Sequence, residues 1–310
     1  MRTAGPGRDA GVMVTGVARH GTVELAYRVD GPPGGEPLLL IMGLGLQLHF
    51  WPDTFVELLT GRGFRVARFD NRDVGLSTHL RGLGVPSPLV LARLRRPGYG
   101  LTDMADDALA VLDALGWDSA HVAGVSLGGM IAQTLAARHA PRVRTLTSLS
   151  STPSPHIGRP WPATAAALLR PPGRGREAAA RQVVRIFRII GSPAYPRDEE
   201  WLREAARLSY DRGHDPAGVL RQLAAIVTAP DRRPLLRRLR MPALVVHGAA
   251  DPLVRLPGGV ATARAIPGAR LVIHPGMGHD LPHALQPGIA DDIRATARRW
   301  AGDPAAPEPS

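Results

Sequence analysis

Two rhythms run through the apolar positions of this chain. Residues 22–29, TVELAYRV, alternate as a half-exposed strand does. Residues 37–43 (PLLLIMG), 64–70 (FRVARFD), 121–126 (HVAGVS), 145–151 (TLTSLSS), 243–248 (ALVVHG) and 270–276 (RLVIHPG) read as strands buried on both faces. Between them, helical spacing of apolar residues covers about 52–62, 102–116, 127–139, 258–266 and 286–301. Strand and helix in turn predict a mostly parallel sheet with helices on both faces, an α/β fold. Residues 152–237 break the alternation: helix-like runs and Pro/Gly punctuation such as RPPGRG predict a helical cap inserted between two core strands. The expected division is a core of 12–151 and 238–302, a cap of 152–237, and a disordered tail of 303–310 (PAAPEPS preceded by Asp303).

With 310 residues, 44% of them hydrophobic, the chain can bury a large core. No window holds the roughly 18 apolar residues that a membrane span needs, and the opening MRTAGPGRDAGVMVTGV lacks the apolar core of a secretory signal. The expected compartment is the cytoplasm, with no membrane partner. Cysteine is absent, which excludes disulfides, thiolate nucleophiles and thiolate-bound metals. Every one of the 38 cationic Lys/Arg positions is arginine, and the net charge is +11. Residues 152–240 hold 17 Arg against 8 Asp plus Glu, spread along helix-like stretches such as REAAARQVVRIFRII. That distribution fits solvated helix faces, and with only 5% aromatic residues no nucleic-acid partner is expected.

The stretch AHVAGVSLGGMIAQ places Ser126 where a strand ends and a helix begins. So sharp a reversal forces an unusual backbone at the serine and demands small neighbours, which Gly124 and Gly128 supply. It also projects the hydroxyl outward and sets a helix N-terminus, with the Leu127 N–H, beside any developing negative charge. A serine hydroxyl needs a base, and the base an orienting carboxylate. Asp251 follows the strand ALVVHG, and His279 lies in PGMGHDLP beyond the strand RLVIH, at the sheet edge where α/β active sites gather. His247 and His274 sit in strand patterns and are expected to pack, while His283 is a weaker rival base. Asp280 is adjacent to His279, and neighbours seldom face each other. Asp70 is expected to fix a turn with Arg72, Gly75 and Ser77. The second oxyanion donor should come from IMGLGLQ, with Leu44 N–H the choice beside Leu127. That loop lacks the residues of a P-loop and a complete dinucleotide fingerprint, so no cofactor and no metal are expected. Gly43, Trp51, Trp161 and Phe187 are candidates for the substrate pocket.

The stretches IMGLG, FDNRDVGLST, GVSLGGM, HGAADPLV and PGMGHDLP, in this order over residues 38–285, resemble the α/β-hydrolase superfamily, and within it the aclacinomycin-methylesterase-like branch. The resemblance implies an eight-stranded sheet, a Ser126–His279–Asp251 triad, and oxyanion donors at Leu44 and Leu127. Met42-Gly43 stands where many members of the superfamily have His-Gly. Dehalogenases and epoxide hydrolases of this fold carry a carboxylate at the elbow, and Ser126 is not one. The expected function is a cofactor-independent carboxylesterase acting on a small alkyl ester of a hydrophobic, polycyclic or polyketide-like acid. The methyl-ester detail follows from the resemblance alone. Lactone hydrolysis, C–C bond hydrolysis, perhydrolysis and a non-catalytic ligand receptor stay open, and nothing in the pattern sets an oligomeric state.

Overall fold

The computed structural model describes residues 13–168 and 173–301; the tail expected at 303–310 lies outside them. The chain opens with β1 (Val14–His20), β2 (Val23–Asp30) and β3 (Glu36–Ile41), then α1 (Asp53–Thr60), β4 (Phe64–Phe69), α2 (Pro88–Leu91) and α3 (Leu101–Ala114). β5 (Ala120–Val125), α4 (Leu127–Arg138) and β6 (Val143–Leu149) follow. Next come α5 (Pro162–Leu168), α6 (Arg176–Ile190), α7 (Glu199–Arg212), α8 (Pro216–Thr228) and α9 (Arg233–Leu236). β7 (Ala243–Gly248), α10 (Pro257–Ala265), β8 (Arg270–His274) and α11 (Gln286–Ala301) complete the order.

The strands form one eight-stranded sheet in the order β1-β2-β4-β3-β5-β6-β7-β8. β2 pairs antiparallel with β1 and β4, and the remaining pairs are parallel. β3 shows why its run is continuously apolar. Leu39 and Ile41 pack with Met104, Ala108 and Ile131 of α3 and α4, while Leu38 and Leu40 pack with Phe55, Leu59, Ile289 and Ile293 of α1 and α11.

β1 carries no such signal. It is an edge strand with most positions open to solvent, and its central Gly16 sits opposite Tyr27, whose ring fills the space a Cβ would need.

No strand lies between β6 and β7 among the described residues, and α5–α9 occupy that segment. Its arginines are largely spent on neighbours. On α6 and α7, Arg176 pairs with Asp211, Arg188 with Glu199, Arg203 with Glu199 and Glu200, and Arg207 with Glu177 and Glu204. Buried pairs fasten the segment to the core: Arg221 of α8 makes two bonds to Asp73 at 2.8 and 2.7 Å and a third to Asp215 at 2.9 Å. Tyr99 donates to the same Asp73 at 2.8 Å, and burial beside that carboxylate pushes its phenol pKa up.

Glu36, at the start of β3, ties three elements together: Arg294 of α11 donates to it at 2.6 Å, and its other oxygen lies 3.2 Å from His121 Nε2 of β5. The His121 hydrogen bond, helped by Arg294 and opposed by partial burial, holds the carboxyl at about 2. A carboxylate with a depressed folded pKa stabilises above its unfolded value and loses that contribution as pH falls through the folded one. Glu36→Gln is therefore expected to lower Tm at pH 7 by roughly 1–3 °C, with the gap to the parent closing as pH falls from the unfolded carboxyl value of 4.5 towards 2. Thermal melts of both proteins across that range check it; a gap independent of pH would assign the loss to packing.

Candidate active site

Three strands converge on Ser126. It follows β5, its N–H donates to Leu149 O of β6 at 2.9 Å, and its carbonyl accepts from Ser151 Oγ at 2.7 Å. Its backbone sits at φ 56°, ψ −118°, a conformation that non-glycine residues avoid. Space for the turn comes from glycine: a Cβ on Gly124 would strike Gly128 O, and one on Gly128 would strike Ile41 O of β3. α4 then starts at Leu127, whose N–H lies in the first turn where no intrahelical acceptor exists.

The loop after β3 lies against this turn. A Cβ on Gly43 would stand 3.4 Å from Ser126 Cβ and 3.9 Å from its Oγ. Neither Leu44 N–H nor Leu127 N–H has an acceptor among the described residues. The loop is held from two sides: Asn71 Nδ2 donates to Met42 O at 3.0 Å, and Gly45 N donates to Gln222 Oε1 of α8 at 2.9 Å. Gln222 also donates to Arg72 O at 2.7 Å, which links the loop to the turn after β4.

Asp251 and His279 are both buried and stand in direct contact, Oδ2 to Nδ1 at 2.7 Å. A carboxylate only accepts, so Nδ1 carries the proton and Nε2 is left as the basic nitrogen. The other Asp251 oxygen accepts from Leu253 N and Val254 N, each at 2.9 Å, fixing its rotamer. His279 N donates to Ile190 O at 2.7 Å, so the loop carrying the imidazole is pinned by the end of α6. No hydrogen bond joins Ser126 Oγ to His279 among the described residues. Such contacts are often loose in unliganded enzymes and tighten with substrate.

The rival side chains have other partners. His247 Nε2 lies 2.7 Å from Val254 O, and burial pushes its pKa below the ordinary imidazole value. Asp280 accepts from Ser192 N at 2.9 Å and from Ser192 Oγ, at the end of α6. Asp70 holds its turn through Leu76 N (3.0 Å) and Ser77, and reaches further, to Leu48 N at 2.8 Å and Arg212 of α7 at 2.5 Å. Arg72 leaves that turn and pairs with Asp107 at 2.6 Å. Asp73, His79 and Asp215 cluster closely enough for a metal, but the Arg221 guanidinium occupies their oxygens.

A cavity of about 520 Å³ opens beside these groups, lined by Met42, Val125, Leu149 and His279 at one end. Phe50, Trp51, Phe187, Trp201 and Leu202 form apolar walls, with Phe50 and Phe187 stacked at 6.4 Å. Trp51 and Phe187 are therefore at the cavity, and Gly43 is at the serine. Trp161 is not: it is 55% exposed outside the cavity, with the Arg255 guanidinium 4.3 Å from its ring. An indole in the insertion segment has no periodic signal that fixes which side it faces. His283 lines the cavity without touching Asp251. Sequence reasoning missed Phe50, Leu202, Ser150 and Arg197 of the lining, and Gln222 and Asn71 behind the loop. Ser150 alone had a signal, its position just past a strand in register with β5.

The profile of the α/β hydrolase fold family matches residues 36–283. The chain belongs to that family. It is 33% identical over 293 residues to the rhodomycin D methylesterase DauP of Streptomyces sp. (strain C5), covering 86% of this chain and 93% of that protein. The rhodomycin D methylesterase DnrP of Streptomyces peucetius is likewise 33% identical, over 86% and 93%. Among solved structures, the enol-lactonase from Burkholderia xenovorans LB400 aligns with a TM-score of 0.67 at 28% identity, over 93% of this chain and 100% of that one. With this family and these relatives, the chain is an ester hydrolase. No helix among the described residues is long and apolar enough to cross a membrane.

Asp251→Asn keeps an oxygen for Leu253 N and Val254 N but presents either an amide or the wrong tautomer to His279. The expected loss is roughly 10⁴-fold in kcat with Tm close to the parent. Steady-state kinetics beside a thermal melt check this, and a loss under tenfold would take Asp251 out of the catalytic couple.

Proposed function

We propose that this protein hydrolyses a small alkyl ester, foremost a methyl ester, of a hydrophobic polycyclic acid through an acyl-enzyme on Ser126. The observations that carry the reading are a strained serine next in the chain to Val125, which lines the same cavity as His279, and the 2.7 Å contact between the His279 imidazole and the Asp251 carboxylate.

In this reading His279 Nε2 takes the Ser126 proton as Oγ bonds to the ester carbonyl carbon, and the carbonyl electrons move onto oxygen. The Leu44 and Leu127 N–H groups meet that oxyanion, each donor lowering the barrier by about 2.7–4 kcal/mol. Collapse breaks the bond to the alkoxy oxygen, which leaves as an alcohol with the proton from His279. A water then gives its proton to Nε2 and attacks the acyl carbon; the acid departs and Ser126 recovers its proton. The residues 152–237 act as a cap, because α6 and α7 supply Phe187, Trp201 and Leu202 to the cavity.

The methyl group is supported by likeness to two methylesterases, and the hydrophobic acid by the apolar walls. Cavities of 300–1,000 Å³ hold molecules of drug-like size, and this one, at about 520 Å³, lies in that range. Lactone opening is the second reading, favoured by the enol-lactonase neighbour, and proceeds by the same proton transfers.

A fluorophosphonate probe is expected to label the parent on Ser126 and leave Ser126→Ala unlabelled, with ester hydrolysis by that variant down roughly 10⁴-fold or more. Parent protein that stays unlabelled while well folded would remove the enzyme reading in favour of a ligand receptor. Across methyl, ethyl and butyl esters of one polycyclic acid, kcat/KM is expected to be highest for methyl; a lactone turned over faster than all three would favour the second reading.

A further inference from the structure

Among the described residues one arginine lines the cavity: Arg197, in the link between α6 and α7. Its Nε is buried without a hydrogen-bond partner, and among the described residues its guanidinium forms no ion pair. Three neighbouring carboxylates are engaged elsewhere. Asp198 caps α7 through Trp201 N at 2.9 Å, Glu199 is held by Arg188 at 2.6 and 2.7 Å, and Glu200 by Arg203 at 2.9 Å. Asp53 takes Arg68 at 2.5 Å. Asp280 accepts from Ser192 through Oδ1, while its Oδ2 lies on the Arg197 side, beside the space a Cβ on Gly191 would take, without reaching an ion pair. Buried donors are almost always paired, so an unmatched guanidinium N–H on a cavity whose lining also holds Asp53, Asp198 and Asp280 marks a place where the acceptor arrives with the ligand.

We propose that the substrate bears, besides its scissile ester, an acidic oxygen group, either a carboxylate or an ionised phenol or enol, and that Arg197 binds it. The proposal rests on the reading of this cavity as the substrate site. Guanidinium is suited to the task because its planar fork stays charged and matches such oxygens directionally. The walls of Phe50, Phe187, Trp201 and Leu202 take the hydrocarbon body while Arg197 fixes which end of it faces His279. Gly191 sets this proximity: a Cβ there would lie 3.2 Å from Arg197 Nε and 3.1 Å from Asp280 Oδ2, and a Cβ on Gly278, next to His279, would strike Gly191 itself. The recognised group therefore sits near the reacting ester rather than at the far end of a long substrate.

The test compares matched pairs on the parent and on Arg197→Gln: the monomethyl half-ester of an aromatic dicarboxylic acid against its dimethyl ester, and a methyl hydroxynaphthoate against its methyl ether. The acidic-over-neutral ratio of kcat/KM is expected to fall roughly 10- to 100-fold in the variant, mainly through KM, for whichever pair matches the native group. Arg197→Lys should restore part of it. Ratios unchanged in both pairs, or equal losses on acidic and neutral partners, would overturn the proposal and leave Arg197 as a wall residue. Calorimetric binding of the free aromatic dicarboxylate needs no turnover. Binding that weakens at least tenfold in Arg197→Gln supports the acidic-group proposal even where Ser126 labelling fails, and equal binding by both proteins overturns it even where labelling succeeds.

Discussion

The backbone at Ser126 is the constraint on which the site depends. A serine at positive φ costs on the order of 1–3 kcal/mol, and it persists because three strands over-determine it. β5 delivers the residue, Leu149 of β6 and Ser151 just beyond it grip its N–H and carbonyl, and β3 closes against Gly128 so tightly that no side chain fits. The strained turn is what lets α4 begin at Leu127, the residue directly after the strand-ending serine. Relaxing Ser126 into an ordinary helical or extended conformation would misplace the hydroxyl and the proposed oxyanion donor, Leu127 N–H, together.

The helical insertion is not merely a lid laid over this arrangement. Gln222 of α8 holds Gly45 in the loop beside the serine, and Arg212 of α7 and Arg221 of α8 neutralise the buried Asp70 and Asp73 of the turn after β4. The end of α6 in turn fixes the His279 loop through Ile190 O and the Ser192–Asp280 bonds. The loops that carry the proposed catalytic groups, from both halves of the core, thus take part of their shape from the segment that also walls the cavity, so substitutions there are expected to affect chemistry as well as substrate fit.

Much of this was legible in the sequence, for identifiable reasons. Apolar runs marked β3 to β8 and alternation marked β2, so seven of the eight were visible, with β6 starting two residues earlier than its run suggested. β8, expected to be buried on both faces, is instead an edge strand with no buried position, because only β7 pairs with it. β1 was invisible because an exposed edge strand with a glycine at its centre has neither alternation nor an apolar run. The elbow announced itself because its sterics admit only glycine on either side, and Asp251 and His279 because α/β sheets place such residues after strand ends. The bonds from Gln222 to Gly45 and from Arg212 to Asp70 were not legible: their partners lie more than 140 residues apart, and nothing local distinguishes an arginine that reaches a buried carboxylate from one that faces water. Trp161 shows the same limit from the other side, since hydrophobicity alone cannot say which surface of an irregular segment an aromatic ring will cover.

The central claim is that Ser126 becomes covalently acylated during turnover. Rapid acid quenching of the parent with an activated acetyl ester, followed by peptide mapping by mass spectrometry, reads this directly. The account predicts an acetyl increment confined to the peptide bearing Ser126, accumulating within a single turnover and absent from Ser126→Ala. Hydrolysis that proceeds at full rate with no acetyl on Ser126, or with the label on another residue, would contradict it.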